Sequence, residues 1–160
     1  MTKVKEGVWE GNKDKHLTRN PLLKLMMLHF KHTIRSCVKA SKPKKILDVG
    51  CGEGFITAVA ADAFPEAEII AIDMEPHYVN YAKVYNKRPN IQFKIEDLYK
   101  LRYPKGNFDL VMCSEVLEHI TDYDTIIEKL AYFSRKNLLV SVPNEPFFRL
   151  ANIARLRYLN

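Results

Sequence analysis

Residues 44–55, KKILDVGCGEGF, place a short apolar run ending in the acid Asp48 directly before three glycines two positions apart, Gly50, Gly52 and Gly54. Such a turn lets the chain pass sharply from strand to helix, and lets a ligand press on main chain where a Cβ would collide. Amides at the start of the following helix can also donate to an acceptor group. Neither standard phosphate pattern is met. A dinucleotide turn needs G-x-G-x-x-G, and Phe55 stands where its third glycine belongs; a P-loop needs lysine and Ser/Thr after its last glycine, and neither follows Gly54. Asp48 and Glu53 would moreover repel a pyrophosphate at close range. The ligand expected here is cationic or zwitterionic.

Outward from this turn, apolar runs of strand length recur at 45–49, 68–73, 91–97, 108–114 and 137–143, and stretches of helical periodicity fill 54–64, 76–86 and 122–134. Strands alternating with helices, with strands apolar throughout, predict an α/β domain: a Rossmann-like, doubly wound parallel sheet of about five strands with helices on both faces. Ligands of such sheets bind beyond the carboxyl ends of the strands, where strand order reverses. The five predicted tips are Asp48–Gly52, Asp73–Glu75, Glu96–Asp97, Ser114–Glu115 and Pro143–Glu145. Asp73, at the tip next to the glycine turn, is placed to accept hydrogen bonds from both hydroxyls of a ribose. Asp97 is placed to accept from an exocyclic amine such as that of adenine. Together they describe an adenosine with a positively charged attachment and no phosphates.

Residues 1–43 form an N-terminal helical segment ahead of the domain at 44–160. In it, Asn20 is a capping residue, Pro21 suits a first turn, and apolar positions up to Val38 follow helical spacing. Charge is divided unevenly: residues 1–45 hold 12 Lys+Arg against 3 Asp+Glu, whereas 46–160 hold 13 against 16. The basic stretch suits an anionic partner or a solvated helix face. His29 and His32 lack a third ligand, so no metal site is expected. Cys37, Cys51 and Cys113 form no Cys-x-x-Cys pair and read as reduced thiols. No apolar run spans a bilayer and the first residues lack a secretory pattern, so the expected location is cytoplasmic.

ILDVGCGEGF, IAIDMEP, IEDL and FDLVMCSEVLEHI resemble, in that order and spacing, the successive motifs of class I S-adenosylmethionine-dependent methyltransferases. The resemblance covers roughly residues 44–145 and is nearest to the small-molecule branch that includes ubiquinone and menaquinone biosynthesis enzymes. It implies that Asp48, Gly50, Cys51, Gly52 and Gly54 line the methionine part of the cofactor and that Asp73 holds the ribose. Met74 would pack on adenine, with Glu96, Asp97 and Leu98 at its edge, and Ser114, Glu115 and Val116 would lie beneath the sulfonium. S-adenosylhomocysteine is the implied product. His119, with Glu115 near it, is the candidate base for removing an acceptor proton.

The family's sheet normally ends in two further antiparallel strands. Here a predicted helix with Phe147, Phe148, Leu150, Ile153 and Leu156 follows the fifth strand, and the last two strands are lacking. Three expectations follow: that helix repacks, or the fifth strand or the helix pairs with a second copy in a homodimer, or the chain is a fragment of a longer product. The acceptor is expected to be a small molecule. A nucleic-acid base is disfavoured, because PNEP at 143–146 follows the fifth strand whereas the Asn-Pro-Pro-Tyr box of base methyltransferases follows the fourth. The alternatives are a truncated or degenerate domain that binds S-adenosylmethionine without turnover and acts through a partner, and a nicotinamide-dependent oxidoreductase, which Phe55 disfavours.

Overall fold

The computed structural model describes residues 16, 17 and 19–142. Four helices, α1 (Pro21–Ser41), α2 (Phe55–Ala63), α3 (Pro76–Tyr85) and α4 (Tyr123–Phe133), surround five strands, β1 (Lys45–Val49), β2 (Glu68–Asp73), β3 (Ile91–Ile95), β4 (Phe108–Ser114) and β5 (Ser134–Ser141). The strands pair in parallel in the spatial order β3-β2-β1-β4-β5. Strand order therefore reverses between β1 and β4, and the glycine turn leaves β1 at that point.

Alternation along the strands assigns the two faces. Ile46, Ile69, Leu110 and Met112 point one way, onto Ile34 and Val38 of α1 and onto Ala60 and Ala61 of α2. The small alanines let α2 sit close to the sheet, and α3 joins the same face through Val79 and Ala82 against Ala71 and Phe93. Leu47, Val49, Ile70 and Val111 point the other way, onto Ile126, Leu130 and Phe133 of α4. Complete burial of Ile34 and Val38 contributes about 1.5–3 kcal/mol each, which is what fixes α1 to the domain. Asn20 caps α1 as predicted, its Oδ1 accepting from the N–H groups of Leu22 (3.0 Å) and Leu23 (3.3 Å). The helix ends at Lys42 in a left-handed conformation, φ 44°.

Three strand boundaries differ from expectation, the simplest being that β5 ends at Ser141 and not at 143. β5 starts at Ser134, directly after α4, and not at 137; a register irregularity between Phe108 and Leu110 accommodates it. The polar run SRKN reads as loop, yet Asp109 holds it extended. Asp109, buried on β4, accepts from the Lys44 N–H (2.8 Å), the Lys45 N–H (3.2 Å) and Arg135 Nε (3.0 Å), with Lys136 Nζ at 3.4 Å. One carboxylate thus ties the amino ends of β1, β4 and β5 together. β3 in turn stops at Ile95 and not at 97. Asp97 has left the sheet to cap a 3₁₀ turn at Leu98–Lys100, its Oδ1 accepting from the Tyr99 N–H at 2.9 Å. Lys129 of α4 secures that turn by donating to the carbonyls of Leu98 (2.9 Å) and Tyr99 (2.8 Å). The turn at Pro143–Glu145 and the helix containing Phe147 lie outside the described residues.

Candidate cofactor-binding site

Gly50, Gly52 and Gly54 all take positive φ, at 72°, 52° and 80°, so the turn needs glycine on conformational grounds alone. The structure adds a second reason, not visible in the sequence. A Cβ on Gly50 would stand 2.2 Å from Val116 Cγ2, and one on Gly54 would stand 2.9 Å from the Phe93 ring. These two glycines are therefore needed by neighbouring side chains as well as by any ligand. The loop's amides are largely committed too. Those of Gly50 (2.8 Å) and Cys51 (2.9 Å) donate to the Ile72 carbonyl, that of Gly54 to Cys51 O (2.9 Å), and that of Gly52 to Asp73 Oδ2 (2.8 Å). The first N–H to bond back within α2 is that of Ala58, onto Gly54 O. The amides of residues 55–57 are consequently the ones the helix start offers outward.

Asp73 sits at the β2 tip with both oxygens engaged by main chain, Oδ2 by Gly52 and Oδ1 by the Glu75 N–H at 2.9 Å. Each carboxylate oxygen keeps a further lone pair. Asp48 is only 2% exposed, and accepts from the Thr57 hydroxyl at 2.6 Å. Burial pushes its carboxyl up to about 6; the Thr57 bond opposes that shift and nearby Asp73 adds to it. Asp48 thus orients the turn from beneath. The Cys51 thiol is pushed well above its ordinary value by burial and then by the fields of Asp48, Asp73 and Glu53. Tyr78 is raised by burial and then by Glu53, Asp73 and Glu75. Two separate groups therefore sense the same negative potential around the glycine turn. Among the described residues neither Asp48 nor Asp73 pairs with a lysine or arginine.

The remaining predicted residues gather at the same end of the sheet. Met74 is 58% exposed beside Asp73, so it is no core residue. The Glu96 N–H donates to the Asp73 carbonyl at 3.0 Å, its side chain lies near Lys94 and Tyr103, and Leu98 opens the turn that Asp97 caps. Lys100 Nζ stands 3.3 Å from Asp97 Oδ2. Ser114 ends β4, and Glu115 follows in a left-handed conformation, φ 59°, its N–H donating to the Ser141 carbonyl at 2.9 Å. That kink turns Val116 back onto Gly50. His119 closes the 3₁₀ turn Leu117–His119 with its side chain half-exposed and its Nε2 3.9 Å from Glu118 Oε1.

Four further residues were not singled out from sequence. Thr57 holds Asp48; Asn86 Nδ2 donates to the Glu53 carbonyl at 2.7 Å and pins the loop; Phe93 faces Gly54. Ser141 pairs in register with Ser114, and both hydroxyls are buried without a partner. Thr57 was within reach of sequence reasoning, standing three residues past the last glycine; the other three depend on the tertiary fold.

This end of the sheet suits the expected donor. Its negative potential matches a sulfonium and an ammonium, and two orphaned hydroxyls stand at adjacent strand tips. A methyltransferase-domain family matches residues 40–147. The chain belongs to that family. Curated relatives include a malonyl-[acyl-carrier protein] O-methyltransferase of Acetivibrio thermocellus, 33% identical over 85 residues, covering 53% of this chain and 30% of the relative. A ubiquinone biosynthesis O-methyltransferase of Xanthomonas campestris is 33% identical over 90 residues, covering 54% and 37%. The methyltransferase domain described here thus spans about a third of the length of these relatives. Among solved structures, the plantazolicin methyltransferase BpumL, in complex with a pentazolic desmethylPZN analogue and SAH, superposes with a TM-score of 0.63 at 15% identity, covering 81% of this chain and 57% of its own. The [4+2]-cyclase SpnF superposes with a TM-score of 0.60 at 21% identity, covering 70% and 43%. At these identities the two structures speak for the fold alone. The expected family and the parallel α/β architecture are both borne out.

Proposed function

We propose that the protein is a methyltransferase that binds S-adenosylmethionine at the glycine turn and passes its methyl group to a small-molecule acceptor. The observation that carries this reading is the convergence of buried or half-buried carboxylates on a turn where, among the described residues, neither Asp48 nor Asp73 has a lysine or arginine partner. Such a site favours a cationic nucleoside over a phosphorylated one. When bound, the donor supplies a methyl group activated by a sulfonium, whose leaving group is a neutral thioether.

The chain's own residues have positioning work to do. Asp73 receives the ribose hydroxyls, Met74 lies against the adenine, and Glu96, Asp97 and Leu98 line its edge. Gly50, Cys51, Gly52 and Gly54 form the bed of the amino-acid tail, with Asp48 below them. Ser114, Glu115 and Val116 form the floor under the reacting centre. Holding an acceptor in line and away from water supplies about 7–11 kcal/mol toward the barrier. His119 accepts the acceptor's proton, with Glu118 beside it and Glu115 at the same rim. All three cysteines are free, as a reducing cytoplasm keeps them, and we place the protein there. β5 has β4 on one side only among the described residues, and its open edge is where a second copy would pair.

Titration calorimetry of the full chain with S-adenosylhomocysteine and, separately, with NADH tests the donor. A clear isotherm for the former and none for the latter is expected; the reverse overturns the reading. Incubation with isotopically labelled donor and a panel of phenols, carboxylic acids and amines tests turnover. Donor binding with no transfer to any acceptor would favour a binding domain that acts through a partner.

A further inference from the structure

Helix α1 has a buried face, through Ile34 and Val38, and an opposite face that is exposed and that no element among the described residues covers. On that side Leu22, Leu25 and Leu28 are 61%, 65% and 56% exposed. Leu25, Leu28, His32, Arg35 and Lys39 follow one another at spacings of three and four, so they form a single exposed line along the helix. Its first half is apolar and its second half basic. From Arg19 to Lys45 the chain carries eight lysines and arginines and no aspartate or glutamate. The one acid of α2, Asp62, is engaged by Arg88 through Nε (2.7 Å) and Nη2 (3.1 Å) and also feels the charge of Arg35, so Arg35 is shared between that acid and the exposed line.

The leucine end lies toward the glycine-turn end of the sheet. Lys31 Nζ is 5.9 Å from the centre of the Phe55 ring, the residue that follows the glycine turn. Lys31 is thus level with the turn, and α1 leads down from there to the amino end of β1. At about 1.5 Å per residue, Leu28 to Leu22 project roughly 5–13 Å further, past the carboxyl ends of the strands.

We propose that the exposed face of α1 docks on an anionic phospholipid bilayer. The leucines enter the boundary between headgroups and acyl chains, while Arg35 and Lys39 meet headgroup phosphates, which sets the site mouth against the membrane. Entering leucine end first, the helix sets its apolar half deeper than its basic half, in the order of acyl boundary and headgroup phosphates. A protein partner of this helix would instead favour an apolar centre ringed by polar groups, and a nucleic acid would favour aromatic platforms over exposed leucines. No helix among the described residues is long and apolar enough to cross a membrane, so the contact is interfacial. The proposal rests on α1 alone and does not depend on the donor.

Co-sedimentation of the full chain with phosphatidylcholine vesicles, with and without phosphatidylglycerol, tests it. Binding at least about tenfold tighter to the anionic vesicles, weakened by salt, is expected. L25E/L28E should lose that binding with an unchanged melting temperature, and R35Q/K39Q should lose the preference for anionic lipid. Equal binding to both vesicle types, binding indifferent to either double variant, or a collapse of folding in L25E/L28E, which would mean the leucines are covered, overturns the proposal. So does capture by an acidic protein without vesicle binding. An intact S-adenosylhomocysteine isotherm alongside absent vesicle binding rejects docking and leaves donor binding standing.

Discussion

Asp73 Oδ2 accepts the Gly52 N–H at 2.8 Å across 21 positions of sequence, so the residue assigned to the ribose also fixes the shape of the loop beside it. In the proposed site, donor recognition and loop geometry are therefore coupled through one carboxylate. D73A is expected to remove both roles, lowering stability by about 2 kcal/mol and S-adenosylhomocysteine affinity by about 10–100-fold. D73N keeps one acceptor oxygen and should fall between. Calorimetry reads the affinity, and hydrogen exchange at the Gly52 amide reads the loop. Protection of that amide unchanged in D73A would show that the bond does not hold the turn.

Gly50 and Val116 form a steric pair. With φ at 72° and Val116 Cγ2 only 2.2 Å from the position of a Cβ, G50A must both strain the backbone and displace the valine. A loss of about 2–4 kcal/mol in denaturant unfolding is expected. V116A in the same chain should recover part of that loss, leaving the backbone cost of roughly 1 kcal/mol. Strict additivity of the two substitutions would deny the contact.

Asp48 titrates at about 6 in the folded chain, against about 3.9 when unfolded. The folded state therefore holds the proton more tightly, and stability falls as pH rises from about 4 to 6. D48N removes that dependence. Its stability relative to wild type should improve from about pH 4 to about pH 7, by at most about 3 kcal/mol. A bound cation would favour the ionised carboxylate, so donor analogues should bind wild type more tightly above pH 6 than below, releasing a proton near that pH. Calorimetry in buffers of different ionisation enthalpy measures the proton directly. An isotherm independent of pH would separate Asp48 from the ligand.

Asp109 behaves in the opposite sense. Burial alone would raise its carboxyl, but Arg135, the amides of Lys44 and Lys45, and Lys136 outweigh burial and hold it well below the usual carboxylate range. Its contribution is present above about pH 4 and is lost only as pH falls through the depressed value. D109N should cost about 3 kcal/mol at neutral pH, since its single oxygen can serve either the two cations at Oδ1 or the two main-chain amides at Oδ2, but not both. Donor affinity should be nearly unchanged, because the cluster lies at the far end of the strands. A parallel loss of donor binding would indicate that the two ends communicate.

The alternation of apolar runs and helical stretches made the sheet, its parallel sense and α1–α4 legible in the chain, down to Asn20 as a cap. Period and turn chemistry are local signals, and they carried that far. The start of β5 was hidden because SRKN is polar; only the carboxylate on a neighbouring strand explains why it is extended. At the site, the glycines, Asp48 and Asp73 stood out by residue type, whereas Asn86, Phe93 and Ser141 owe their places to residues 27–39 positions distant, namely Glu53, Gly54 and Ser114. The bond from the Gly52 N–H to Asp73 was likewise invisible, since a hydrogen bond to main chain leaves no mark in composition.

The Asp109 cluster and the glycine turn occupy opposite poles of the same strands. Anchorage of the scaffold and selection of its cargo can accordingly diverge at separate rates. Substitutions at the glycine-turn end therefore leave the Asp109 anchorage in place, which makes this small sheet a tractable starting frame for a library.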